Sequence, residues 1–156
     1  ATGPSLSHFN AWILSKSLET LSIRMEKHSQ NALKLAQILE NTKKINWVKY
    51  PFLPSHPQYE LARKQMLLGG GIVSFELAGG LNAGKQFLDN LKMLSLTANL
   101  GDSRSIASHP ASTTHRQLSN EQKEKSGVGD SIIRLSIGLE SHKDIIADLE
   151  GALSTI

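Results

Sequence analysis

The chain contains no cysteine, which excludes disulfides, zinc–thiolate sites and thiol catalysis. Aromatic side chains make up only 5% of its 156 residues, and lysine and arginine form no basic run. Neither base stacking nor a phosphate-binding groove is therefore predicted, and we expect no nucleic-acid partner. No apolar run approaches the roughly 20 residues of a membrane-spanning helix, and the first ten residues lack an export pattern. We expect a soluble, cytoplasmic protein without a membrane partner.

The composition that is present suits one globular domain, with 39% hydrophobic residues and a net charge of +3. Over the first forty residues, apolar side chains recur at alternating spacings of three and four. This period predicts one long helix, at about 1–42, with an apolar stripe that packs on a sheet. The stripe consists of Ala11, Leu14, Leu18, Leu21, Met25, His28, Ala32, Leu35 and Leu39.

Short strands and helices are predicted to alternate after this helix. Runs of β-forming residues predict strands at 45–50, 72–77, 93–98, 105–108 and 132–137. Helices are expected at 59–68, at 82–92 after an Asn82 cap, at 119–127 from the capping pair Ser119 and Gln122, and at 141–153 from Ser141 and Asp144. The pattern predicts a two-layer α+β domain, in which helices cover one face of a mostly antiparallel sheet.

Arg134 is the candidate for binding chemistry, because it interrupts the apolar run 132–137. Strand alternation places Ile133, Leu135 and Ile137 on one face and Arg134 with Ser136 on the other. An arginine in such a strand needs an anionic partner, and its planar guanidinium fits a carboxylate with two hydrogen bonds. From the residues alone, that partner is either an internal Asp or Glu or the carboxylate of a ligand.

Five segments carry a family resemblance: LETLSIRMEKH at 18–28, YPFLPSHPQYELARKQM at 50–66, GGGIVSFEL at 69–77, LTANLGDSRSIASHPASTTH at 96–115 and IIRLSIGLE at 132–140. Through them the chain resembles the small C-terminal domain of the cystathionine γ-synthase-like enzymes, the pyridoxal-phosphate (PLP) enzymes of Cys/Met metabolism. The resemblance implies that Arg134 binds the α-carboxylate of an amino-acid substrate. It also implies that Asn99 lies beside that carboxylate and Thr114 near the substrate pocket.

Within the family, ANLGD with HPASTTH resembles O-acetylhomoserine sulfhydrylases most, since other members usually have serine where Asn99 stands. The implied activity is that of a PLP-dependent transferase, which replaces acetate by sulfide or methanethiol to give homocysteine or methionine. A cystathionine γ-synthase, a γ-lyase, a methionine γ-lyase and a non-catalytic oligomerisation domain remain alternatives. The sulfur donor and the acyl group also remain open.

The resemblance further implies a large PLP-binding domain outside these 156 residues. The family's Schiff-base lysine follows Ser-x-Thr, whereas the nearest match here, Lys43, follows Asn41-Thr42 without the serine. We therefore expect residues 1–156 to be a single C-terminal domain, with 1–42 as a connecting helix and 43–156 as an α/β sandwich. Alone it should be inactive, with no catalytic residue and no covalently bound cofactor, and the family implies a homotetramer.

Three other kinds of site are not predicted. Residues 79–86 have the glycine and lysine spacing of a phosphate-binding loop, but Gln86 stands where magnesium binding requires Ser or Thr. His109 and His115 are six residues apart without a nearby carboxylate at ligand spacing, and His28 belongs to the helical stripe. No nucleophile elbow accompanies the many serines. We therefore expect neither a nucleotide site, nor a metal site, nor a Ser-His-Asp triad.

Overall fold

The computed structural model describes residues 5–156, apart from the side chains of Asn120 and Glu124. The described helices are α1 (His8–Glu19), α2 (Leu21–Glu40), α3 (Tyr59–Gln65), α4 (Gly80–Asp89), α5 (Asn120–Lys125) and α6 (His142–Ser154). The described strands are β1 (Ile45–Lys49), β2 (Ile72–Leu77), β3 (Ser95–Leu96), β4 (Ile106–Ser108) and β5 (Ile132–Ser136).

The five strands form one sheet in the order β1-β2-β5-β4-β3. The pairs β1–β2, β2–β5 and β4–β5 are antiparallel, and only β3–β4 is parallel. The last strand in the sequence therefore lies in the middle of the sheet, with a neighbour on each side. The prediction of a mostly antiparallel α+β domain is confirmed.

The hydrophobic core lies between one face of this sheet and helices α2, α4 and α6. Val73, Phe75 and Leu77 alternate along β2 and point into the core. Phe75 meets Phe87 of α4 edge to face, with ring centroids 5.7 Å apart. Fully burying one such side chain stabilises the fold by about 1.5–3 kcal/mol. Leu35 of α2 belongs to the same cluster, which anchors the helical layer to the sheet.

The prediction of one helix over 1–42 is wrong for the described residues, because the helix is interrupted at Thr20. Thr20 has φ −106° and ψ 7°, outside the helical region. The Arg24 side chain spans the interruption, since its Nη2 donates to the carbonyl of Ser17 at 2.7 Å. Residues 1–4 of the expected helix lie outside the described residues.

The apolar stripe packs on the sheet only in its second half. Ala32, Leu35 and Leu39 of α2 are buried. In α1, by contrast, no residue is buried, and Leu14 and Leu18 are more than half exposed. The periodicity therefore predicted the packing of α2 correctly, whereas α1 buries none of its residues against the sheet of this chain.

One helix start and one predicted cap also differ from the prediction. Helix α4 begins at Gly80 and not at Asn82, because Gly79 makes the turn with a φ of 107°, which glycine adopts without strain. Ser141 precedes α6 as predicted, but its side chain makes no capping hydrogen bond.

The capping box ahead of α5 is confirmed. Gln122 N–H donates to Ser119 Oγ at 3.3 Å, and Ser119 N–H donates to Gln122 Oε1 at 2.9 Å. The expected stop is also present, because Gly127, just beyond the helix, has a φ of 67°. The strand predicted at 93–98 is reduced to the two residues of β3.

Candidate functional site

Arg134 lies at the centre of the sheet, on the face opposite the core. Its neighbours along the strand, Ile133 and Leu135, are fully buried among core residues, whereas Arg134 is half-buried. Its cross-strand partners are Ser74 on β2 and Ser108 on β4, which share its face. Two short hydroxyl side chains therefore flank the Arg134 position in the sheet.

No described carboxylate pairs with the Arg134 guanidinium: the ion pairs found within 4.0 Å among described side chains all involve other residues. Glu76 lies on the same sheet face, but its carboxylate accepts from Asn46 Nδ2 at 3.0 Å and from Ser131 Oγ at 3.2 Å. In the described part of the chain, no Asp or Glu is therefore the partner of Arg134. Of the two alternatives from the sequence, the carboxylate of a ligand is left.

The loop at 97–105 carries Asn99 and is attached to the strand that carries Arg134. Gly101 N–H donates to Ser136 Oγ at 3.2 Å, and Ser136 is buried on the Arg134 face. Gly101 turns the chain there with a φ of 75°. Asn99 itself is exposed, and its Oδ1 accepts the Leu100 N–H at 2.9 Å. The structure thus brings the Asn99 loop to the Arg134 strand.

The loop is also ordered internally by Asp102. Its Oδ1 accepts the Arg104 N–H at 3.0 Å, and the Arg104 Nε lies 3.7 Å away. The pKa of the Asp102 carboxyl is lowered, chiefly by this backbone hydrogen bond; desolvation opposes the effect, and the charge of Arg104 lowers the pKa further. Asp102 therefore keeps its charge and its bond at neutral pH.

Thr114 is exposed, in a turn that follows β4, and its Oγ1 lies 2.8 Å from the Nδ1 of His115. The start of this turn is fixed by His109, whose Nε2 is 2.9 Å from the carbonyl of Asp130 and whose Nδ1 is 2.8 Å from Ser112 Oγ. The turn is thereby attached just ahead of β5. No described contact joins Thr114 to Arg134.

A largely apolar cavity of about 240 Å³ lies beside Ser136, between α2 and the Asn99 loop. The lining residues are Met25, His28, Gly71, Ile72, Leu100, Gly101, Ser136 and Ile137. His28 is buried, and its Nδ1 lies 2.5 Å from the carbonyl of Ile137. His28 therefore connects α2 to the end of β5, a structural role consistent with its place in the helical stripe.

Three residues that support this site were not singled out in the sequence: Ser105, Ser136 and Glu140. Strand alternation had placed Ser136 on the face of Arg134, but no pattern in the sequence gave it a role. Glu140 lies beyond the strand, and Ser105 is 35 positions away from it in the chain. Neither has a local pattern that marks it.

The residues around Arg134 suit a carboxylate and do not provide a covalent anchor for PLP. Neither β5 nor the loop at 97–105 contains a lysine, and Lys43 is exposed just after α2. Among the described residues, no cluster of three or more His, Asp or Glu side chains is arranged to hold a metal ion. Likewise, no described helix combines the length and the apolar character that crossing a membrane requires.

Comparison with known proteins identifies the family. Residues 1–154 match the family described as Cys/Met metabolism PLP-dependent enzyme. The chain belongs to this family. A crystal structure of a putative O-acetylhomoserine (thiol)-lyase from Campylobacter jejuni, which contains a pyridoxyl-lysine phosphate, matches 97% of the chain with a TM-score of 0.91 and 45% identity. This match confirms both the fold and the resemblance seen in the sequence.

Curated relatives with different names are similarly close. An O-acetyl-L-homoserine sulfhydrylase of Leptospira meyeri and an O-succinylhomoserine sulfhydrylase of Pseudomonas aeruginosa are each 49% identical over 99% of the chain. An L-methionine gamma-lyase of Fusobacterium nucleatum is 46% identical over 99% of the chain. The chain spans 35%, 38% and 39% of these three relatives, and 36% of the Campylobacter chain.

Proposed function

We propose that these residues form the substrate-binding C-terminal domain of a PLP-dependent homoserine-ester sulfhydrylase. In this proposal residues 1–156 are one domain, in which 1–42 connect to a large PLP-binding domain and 43–156 form the α/β sandwich. The enzyme would replace the acetate of O-acetylhomoserine by sulfide or methanethiol, giving homocysteine or methionine. The two sulfhydrylases at 49% identity support the reaction class.

The observation that carries the proposal is the unpaired state of Arg134 among the described side chains, in the central strand and on the face opposite the core. A half-buried guanidinium without an internal acid gains most from an anionic ligand. The α-carboxylate of an amino acid is planar and accepts two parallel N–H bonds from arginine, which lysine cannot reproduce. Arg134 is therefore the proposed carboxylate-binding residue.

Asn99 and Thr114 are proposed to complete the substrate side of the pocket. The side-chain N–H₂ of Asn99 can donate to the same carboxylate, because its loop is attached at Ser136, two positions from Arg134. Thr114 would supply a hydroxyl from the turn that follows β4. PLP, held by the large domain, would supply the electron sink of the reaction. Holding the carboxylate aligns the substrate, and such orientation can lower a barrier by several kcal/mol.

A methionine γ-lyase is the second candidate, because such an enzyme is 46% identical to the chain. Asn99 favours the sulfhydrylase on the basis of the family resemblance. We further propose a homotetramer as the assembly, as the family implies. The two activities separate in one assay: a sulfhydrylase consumes sulfide and releases acetate from O-acetylhomoserine, whereas a lyase releases methanethiol from methionine.

The test is Arg134→Ala in the full-length enzyme. Truncating one partner of a charge pair costs about 2–5 kcal/mol, so kcat/KM for O-acetylhomoserine should fall by about 30-fold to 5,000-fold, and Arg134→Lys should recover only part of it. The PLP absorbance should not change. Arg63→Ala on α3 is the matched control, since Arg63 is exposed. If Arg134→Ala kept the activity of the Arg63 control, the carboxylate assignment would be wrong.

A further inference from the structure

Glu140 lies in the segment between β5 and α6 and holds Ser105 with both carboxylate oxygens. Oε1 accepts the Ser105 N–H at 2.6 Å, and Oε2 accepts the Ser105 hydroxyl at 2.9 Å. The Ser105 oxygen in turn accepts the Gly138 N–H at 2.9 Å. Ser105 is fully buried, so these bonds are shielded from water. Charge-assisted bonds of this kind are shorter and stronger than neutral ones.

The segment that carries Glu140 is itself fixed from the helical layer. Asn31 of α2 is buried, and its Nδ2 donates to the carbonyl of Gly138 at 3.0 Å and to that of Glu140 at 2.9 Å. In addition, Leu139 N–H donates to the carbonyl of Ser103 at 2.8 Å. Glu140 therefore lies on a segment that is itself fixed to α2, and from there it holds the loop at 97–105.

The loop at 97–105 has no regular structure between β3 and β4. Side chains attach it to the β5 segment at two points, Gly101 to Ser136 and Ser105 to Glu140. The first point is one hydrogen bond of 3.2 Å from a backbone amide. The second consists of two shorter bonds to one carboxylate. The Glu140 carboxylate therefore supplies the two shorter of these side-chain bonds, next to the backbone bond from Leu139 N–H to the Ser103 carbonyl, and it contributes to the position of the Asn99 loop relative to Arg134.

We propose, building on the function proposed above, that Glu140 is a positioning residue for substrate binding. Through Ser105 it sets where the Asn99 loop stands relative to Arg134, and it thereby sets the affinity for the amino-acid substrate. Glu140 does not touch the substrate itself. A glutamine at this position has one acceptor oxygen instead of two, so it can keep the bond to the Ser105 amide but leaves the hydroxyl proton without an acceptor.

The experiment compares Glu140→Gln with the control Glu150→Gln in the full-length holoenzyme. Glu150 is exposed on α6, so its variant makes the same charge change at a site away from the loop. For Glu140→Gln we expect KM for O-acetylhomoserine to rise about 10-fold with a smaller change in kcat. For Glu140→Ala, kcat/KM should fall about 100-fold, the effect of an error of roughly 1 Å in position. PLP absorbance should stay unchanged in each.

A double-mutant cycle with Asn99→Ala separates positioning from general damage. If Glu140 acts through the Asn99 loop, Glu140→Gln should change KM less than about 2-fold once Asn99 is alanine. Ser105→Ala keeps the hydrogen bond from the Ser105 backbone amide to Glu140, and it should raise KM as Glu140→Gln does. It replaces Glu140→Gln in the test if the Glu140→Gln protein folds poorly.

Equal effects of Glu140→Gln in both backgrounds would overturn the positioning role, as would kinetics equal to those of the Glu150 control. A loss of the PLP absorbance would also overturn it, because the damage would then reach beyond the substrate side. If Arg134→Ala and Asn99→Ala were both without effect, the proposed function would fail instead. The two proposals therefore fail under different results.

Discussion

Gly138 is the position where the smallest change should do the most damage. A Cβ added there would lie 2.5 Å from the carbonyl carbon of Arg104 and 2.5 Å from the oxygen of Ser103, and it would also meet a carboxylate oxygen of Glu140. An optimal contact between carbon atoms is about 3.5–4.0 Å. Two of the three obstacles are backbone atoms, which cannot rotate away. Gly138→Ala must therefore move the loop at 103–105 by about 1 Å.

The cost follows from the bonds that this movement breaks. Overpacking by one methyl group destabilises a core by about 1–3 kcal/mol. The displaced loop also loses the bonds from Leu139 N–H to the Ser103 carbonyl and from Gly138 N–H to Ser105 Oγ, at about 1 kcal/mol each. We expect the free energy of unfolding to fall by about 3–5 kcal/mol, a large part of the roughly 5–15 kcal/mol of a typical domain.

Urea unfolding followed by far-ultraviolet circular dichroism measures this loss. Gly151→Ala is the matched control, because a Cβ at Gly151, inside α6, meets nothing within 4 Å. That variant should be stabilised by about 0.5–1 kcal/mol, since alanine favours a helix over glycine. A Gly138→Ala protein as stable as the wild type would refute the close approach of the loop to Gly138.

Two further predictions concern Tyr50 and the cofactor. Burial raises the pKa of Tyr50 to about 12, and its hydroxyl lies 3.0 Å from the Gly70 carbonyl and 3.2 Å from that of Ser29. A raised pKa means that the folded state holds the proton more tightly, so this stabilisation is complete below pH 10 and is lost between about pH 10 and 12. Tyr50→Phe should lower the free energy of unfolding by about 1 kcal/mol at pH 8 and should remove its decrease between pH 10 and 12. Urea titrations at a series of pH values measure both effects. A variant with the same dependence of stability on pH as the wild type would contradict this prediction. Added PLP should give no stoichiometric imine absorbance with the 156-residue chain and a stable band with the full-length enzyme, so a stoichiometric band from the chain alone would overturn the proposed division between domains.

Local patterns predicted the parts of the fold whose cause is local. The alternation in 132–137 placed Arg134 on the face opposite Ile133 and Leu135 correctly, because the side chains of a strand alternate by geometry. The capping box at Ser119 and Gln122 was recognisable for the same reason. The family resemblance contributed what geometry cannot, the proposed ligand of Arg134.

Features that depend on one backbone angle or on distant residues were missed. The spacing of apolar residues continues through Thr20, so it could not reveal that this residue leaves the helical region. Gly79 and Asn82 are both plausible helix starts, and only the φ of Gly79 decides between them. The contact of Glu140 with Ser105 joins positions 35 residues apart, which no short pattern encodes.

The central position of β5 in the sheet limits where the chain can accept insertions and deletions. Ile133 pairs with Phe75 on one side, and Leu135 pairs with Ala107 on the other. Inserting or deleting one residue at the start of the strand, ahead of Ile133, would turn Arg134 toward the core and move Ile133 and Leu135 to the opposite face, because side chains alternate with a period of two. The loops of this fold can change in length, but the five residues of β5 can change only by substitution.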